Sequence, residues 1–127
     1  MNKTRSFQHQ DRDYQLRADI HPCGEDYCIL ISGGDRPHIG AAALGVAAGS
    51  ANHPEKITAT PSVLSVPGHK EHLLALDAAE RLSKTLATTV VVTVGIHIKD
   101  ITPGLIDQVV EEFNGLIDDL AEALGKK

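Results

Sequence analysis

Apolar and polar positions alternate from residue 14 to 21: Tyr14, Leu16, Ala18 and Ile20 stand against Gln15, Arg17, Asp19 and His21. Period two is the signature of a strand with one buried and one wet face, and Pro22 is read as its end. Residues 27–32 are instead almost continuously apolar, which predicts a more buried second strand. Gly33-Gly34-Asp35-Arg36-Pro37 follows, rich in residues suited to positive φ or fixed φ, and it predicts a hairpin into a third strand over residues 39–47. That third strand is mostly Gly and Ala, so a backbone or a ligand is expected to lie close against it. A short helix over residues 41–48 is the alternative reading of the same composition.

Residues 49–55 read as a loop, and residues 62–66 as a short strand closed by Pro67-Gly68. Leu74, Ala75, Ala78, Ala79, Leu82 and Leu86 then keep a 3.6-residue stripe, predicting a helix from Lys70 to Leu86. The run of Val and Thr over residues 88–94, extended by Ile96 and Ile98, predicts a central strand. Thr102 offers an N-cap oxygen and Pro103 suits the first helical position, so a second helix should run to Gly125. Residues 1–12 are polar without periodicity and read as a loose N-terminal leader, leaving residues 13–127 as a single domain.

The order ββββαβα is satisfied by an α+β fold, a two-layer sandwich with a mostly antiparallel sheet of about five strands and both helices on one face. Such a layer leaves the other sheet face open, and a homodimer would cover it. At 127 residues the chain suits one core, and with two Phe, two Tyr and no Trp that core must be built from Leu, Ile, Val and Ala. A net charge of −5 without clustered Lys and Arg argues against a nucleic-acid partner. No apolar run reaches the roughly 20 residues of a bilayer span, so no membrane role and a cytoplasmic location are expected. Cys23 and Cys28, in a reducing compartment, read as small structural thiols.

Three distant segments each set a histidine among turn and strand residues: Gly33-Gly34-Asp35-Arg36-Pro37-His38-Ile39-Gly40, Pro67-Gly68-His69-Lys70-Glu71 and Gly95-Ile96-His97-Ile98. The helix after Lys70 should return the chain so that the strand near residue 88 runs parallel to the one near residue 62. Their carboxyl ends would then share one sheet edge, where crossover folds bind ligands. If the strand after His38 runs antiparallel to the strand at residue 62, its start reaches the same edge. His38, His69 and His97 would rim one site.

The helix start at Gly68, His69 and Lys70 offers free amides and a dipole suited to a phosphate or carboxylate, with Arg36 and Lys70 adding charge. Three neutral imidazoles would equally suit a divalent metal ion with His38, His69 and His97 as ligands. Singly, each of these histidines could be an ordinary turn residue. Glu71 reads as a first-turn residue of a solvated helix, and His9, His21, His53 and His72 lack any such setting. There is no P-loop, dinucleotide fingerprint, zinc-finger spacing or Gly-x-Ser-x-Gly elbow, and no catalytic residue is assigned.

In their order and spacing the three segments resemble the LpdD-like proteins, and the resemblance covers residues 14 to 125. These are small subunits associated with UbiD-type aromatic acid decarboxylases such as gallate decarboxylase, and they are described as chaperones for prenylated FMN. The resemblance implies a carrier that takes prenylated FMN, or FMN, from a UbiX-type flavin prenyltransferase and helps mature or deliver it to the decarboxylase. The site read from the residues fits this in part, with cofactor contacts expected at Arg36, His38, Gly40, Gly68, His69, Lys70 and His97, and with the Gly- and Ala-rich third strand admitting a flat ring. The residues themselves leave two other readings open: a small metal-dependent enzyme using the three histidines, and a purely structural subunit of a decarboxylase complex.

Overall fold

A computed structural model of the chain describes residues 1–49, 57–68 and 71–125. Most of the loop expected at residues 49–55 lies outside the described residues, as do His69 and Lys70. The elements are β1 (Asn2–His9), β2 (Arg12–Cys23), β3 (Asp26–Gly34), β4 (Ala41–Gly49), β5 (Ile57–Ser65), α1 (His72–Leu86), β6 (Val90–His97) and α2 (Pro103–Gly125). Six strands form one sheet in the order β1-β2-β3-β6-β4-β5, antiparallel throughout except where β3 pairs with β6. The α+β two-layer reading holds, with one strand more than expected.

The additional strand is β1, where a loose leader was expected. Its residues are polar because it is an edge strand with little to bury, and charge on such an edge discourages pairing with other chains. Phe7 stacks on Tyr14 with ring centroids 5.5 Å apart. Arg5 reaches across to α2, pairing with Glu112 at 3.0 Å and Asp119 at 3.1 Å. One apolar contact and a pair of ions are too sparse a pattern to read from periodicity.

The predicted hairpin from the second to the third strand does not form, because β6 inserts between β3 and β4. Val90, Val92 and Val94 are fully buried, and a strand this apolar gains most where it is paired on both sides. β5 and β6 run in the same direction, as anticipated, but β4 lies between them and is antiparallel to both. Pro61 sits on β5, whose outer edge is unpaired, and Pro22 lies beyond the last β1 partner, so neither missing N–H interrupts a ladder.

Both helices cover one face. α1 lies on β4, β5 and β6, and α2 on β1 and β2, with the two helices in contact. Phe113, Leu116, Ile117 and Leu120 of α2 and Leu82 of α1 are fully buried against Leu16, Ile20 and the β6 valines. The small residues of β4 are explained here by a backbone. A Cβ at Gly45 would collide with the Ala79 carbonyl oxygen and stand 2.6 Å from Ser83 Oγ, so α1 packs almost directly on the strand. On that face the close backbone is α1, as the Gly- and Ala-rich composition anticipated. Thr102 Oγ1 accepts the Leu105 N–H at 3.2 Å, capping α2 as predicted.

Candidate functional site

Because β3 and β4 flank β6, the segment joining them must cross the carboxyl end of β6. Residues 35–40 make that crossing, and hydrogen bonds hold them down. Gly34 turns with φ +80, and a Cβ there would strike the His97 carbonyl. That same carbonyl accepts the Asp35 N–H at 2.8 Å and the Arg36 N–H at 3.3 Å. Further along, the Gly40 N–H donates to Val94 O at 2.9 Å, and Gly40 O accepts the Val66 N–H at 2.8 Å. Asp35 secures the outer side, accepting the Lys99 N–H at 3.0 Å and pairing with Arg12 at 2.9 Å.

The crossing brings two of the three expected histidines together. The His38 and His97 rings stand edge to face with centroids 6.3 Å apart. His69 lies outside the described residues, so the three-histidine set is not assembled in this description. Among the described residues, no group of three or more His, Cys, Asp or Glu side chains could hold a metal ion.

Glu71 is the residue that sequence reasoning misjudged. It precedes α1 in αR geometry, but its side chain makes no capping bond. It turns inward and is only 8% exposed. Its Oε1 accepts the Ile96 N–H at 3.3 Å and lies 3.1 Å from His38 Nε2, a close contact set off the axis of a hydrogen bond. Oε2 is buried against Gly40 with no hydrogen-bond partner among the described residues, and a Cβ on Gly40 would occupy its place. Gly40 thus makes room for a carboxylate. The available signal was a pair of glycines, Gly40 and Gly95, at and within strand patterns, where a missing side chain marks a close approach.

Two cavities adjoin at His97. Arg36, His38, Ile39 and His97 line one of about 320 Å³, its wall carrying a guanidinium and two imidazoles. The other, of about 400 Å³, is walled by Leu74, Ile96, Ile101, Ile106 and Val109, with Gly68, Glu71 and His97 at its polar margin. Gly68, at φ +85, has open space where a Cβ would stand. Both volumes fall in the range of small-molecule sites, which are largely apolar with a few placed polar groups. Of the remaining histidines, His9 is bonded to Gln108 at 2.6 Å, His21 is exposed, and His53 lies outside the described residues.

A family model described as the prenylated flavin chaperone LpdD-like domain matches residues 10–125. The chain belongs to this family. Protein LpdD of Lactiplantibacillus plantarum (strain ATCC BAA-793 / NCIMB 8826 / WCFS1) is 28% identical over 102 residues, covering 76% of this chain and 68% of that protein. A solved chain from a chaperone complex for yeast 20S proteasome assembly matches 98% of both chains with a TM-score of 0.56 and 13% identity, a likeness of fold alone. As an LpdD-like chain the protein stands with chaperones of a UbiD-related system. No helix among the described residues is long and apolar enough to cross a membrane.

Proposed function

We propose that this LpdD-like chain binds prenylated FMN, made by a UbiX-type flavin prenyltransferase, and carries it to a UbiD-type aryl acid decarboxylase. One observation carries the reading. A cationic cavity and an apolar cavity meet at one side chain, His97. Prenylated FMN has the same division, with a phosphate at one end of its ribityl chain and an apolar, alkylated ring system at the other. Arg36, His38 and His97 would hold the anionic end, and Leu74, Ile96, Ile101, Ile106 and Val109 would shelter the ring. No Phe, Tyr or Trp lines either cavity, so affinity would come from apolar burial and charge in place of ring stacking.

A carrier need not transform its cargo. When bound, prenylated FMN is the group that supplies decarboxylation chemistry to the partner enzyme; this chain's own residues would bind it, orient it and limit its contact with water.

The second sheet face supports a further partner, another copy of the chain. Leu30, Leu44, Val46 and Leu64 are exposed there, Leu64 at 80%. A hollow of about 400 Å³ opens beside them over Ala42, Ser62 and Val91. A protruding leucine next to a hollow on the same face is what a twofold contact needs for self-complementarity. Six strands spaced about 4.8 Å apart also offer a face large enough to approach the roughly 1,200 Å² at the lower end of stable interfaces.

The test is purification after co-expression with a flavin prenyltransferase, followed by absorption spectroscopy and native mass spectrometry. The expected result is a coloured protein carrying one flavin mass per chain. A colourless protein without that mass would refute the carrier reading.

A further inference from the structure

We propose that Glu71 is a positioning residue of this site: its carboxylate fixes the His38 imidazole and the end of β6 in the arrangement that receives the cofactor. The inference rests on the carrier reading for its ligand, but its geometric content stands apart from that reading.

Three distant positions are keyed to one another around this carboxylate. Glu71 Oε2 fills the volume that any side chain at residue 40 would need. The His38 carbonyl fills the volume that any side chain at residue 95 would need. Glu71 Oε1 then takes the Ile96 N–H, the first amide past Gly95, and stands 3.1 Å from His38 Nε2. The carboxylate is therefore a peg joining the start of α1, the crossing segment and the end of β6.

Simple solvation does not explain it. A carboxylate on the first turn of a helix gains most by facing water or capping the helix amides, and this one does neither. Burial with one oxygen lacking a hydrogen-bond partner among the described residues costs stability, and such costs concentrate where geometry serves a site. What the arrangement supplies is orientation. The 3.1 Å contact, although off the axis of a hydrogen bond, places negative charge beside His38 Nε2, so it would favour the Nε2–H form and restrain the ring, as carboxylates do for metal-bound and catalytic histidines. His38 lines the cationic cavity, and Glu71 itself borders the apolar one. The peg thus sets the wall between the two.

The experiment compares Glu71→Ala, Glu71→Gln and Gly40→Ala with the wild type. Affinity for FMN and prenylated FMN is titrated, and ¹⁵N spectra of the histidine rings report the His38 tautomer. Gln keeps an oxygen that can accept the Ile96 N–H and face His38 Nε2, so Glu71→Gln should hold the Nε2–H form and bind within about threefold of wild type. Glu71→Ala should give averaged His38 tautomers and weaken flavin binding about tenfold or more. Gly40→Ala, which displaces the carboxylate without altering its chemistry, should reproduce both effects and decides the matter if Glu71→Ala does not fold. Unchanged His38 signals in Glu71→Ala or Gly40→Ala would overturn the proposal, as would Glu71→Gln behaving like Glu71→Ala. If the wild type binds no flavin, the carrier reading fails, and the ring spectra still judge the role of Glu71.

Discussion

The backbone of His38 passes directly over Gly95, so that its carbonyl oxygen lies where a side chain on residue 95 would begin. This contact decides whether the segment after β3 can cross β6 at all. It is backbone against backbone, and neither partner can swing aside as a flexible side chain would. Gly95→Ala should therefore lift residues 35–40 from the sheet. A destabilisation of about 1–3 kcal/mol, the usual range for overpacking, is expected, and thermal unfolding would measure it. The same variant should lose the close approach of the His38 and His97 rings. Wild-type stability with wild-type flavin binding would contradict the crossing described.

His97 borders both cavities, whereas Arg36 borders only the cationic one. Removing His97 should thus impair both ends of the ligand, and Arg36→Ala only the anionic end. His97→Ala is expected to weaken prenylated FMN about tenfold or more, equivalent to roughly 1.4 kcal/mol. Arg36→Ala should weaken FMN strongly but riboflavin, which has no phosphate, hardly at all. Equilibrium fluorescence titration of the three flavins checks the pattern. Both side chains are on the surface, so melting temperatures should stay close to wild type.

Much of this site was legible in the chain, and what was not has physical reasons. The convergence of His38 and His97 followed from strand direction alone, because β5 and β6 run the same way and β4 runs against both. The apolar run marked β6 as a central strand, as it is, but strand order was less accessible: the local pattern does not say that β6 enters between β3 and β4. Glu71 was hidden because residue type carries no sign of direction, and a helix-start glutamate normally faces water. The small residues of β4 signalled a close approach, and the close backbone is α1 at Ala79. β1 escaped because its attachment is by Arg5 and Phe7, a pattern without period.

Leu64 is the most exposed large side chain on the open face of the sheet, at 80%. A charge there should leave the monomer's own packing untouched, since almost nothing of the chain covers it. Leu64→Asp is expected to abolish a dimer that uses this face and to leave the folded monomer intact. Native mass spectrometry and light scattering would show the mass fall from twice the 13.6 kDa chain to a single copy. A dimer that survives this change must use another surface.

Acid sensitivity should originate far from the histidine edge, at the turn that leads into β6. Asp26 accepts hydrogen bonds from the Thr88 hydroxyl and from the Thr89 N–H, at 3.1 Å for the latter. The hydroxyl bond first, then the amide, hold the Asp26 carboxyl below its ordinary value, with a smaller opposing effect of desolvation. A carboxyl depressed in the folded state favours folding at any pH above its unfolded value. That contribution disappears as pH falls from the unfolded value through the folded one. Asp26→Asn keeps the Oδ1 acceptor that both donors share but removes the charge that strengthens both bonds. The variant should therefore lie below wild type in stability at pH 7 and converge with it as the pH is lowered below the usual carboxylate range. Urea midpoints measured from pH 7 to pH 3 test this, and a constant difference between the two proteins across that range would show that Asp26 is not the acid-sensitive group.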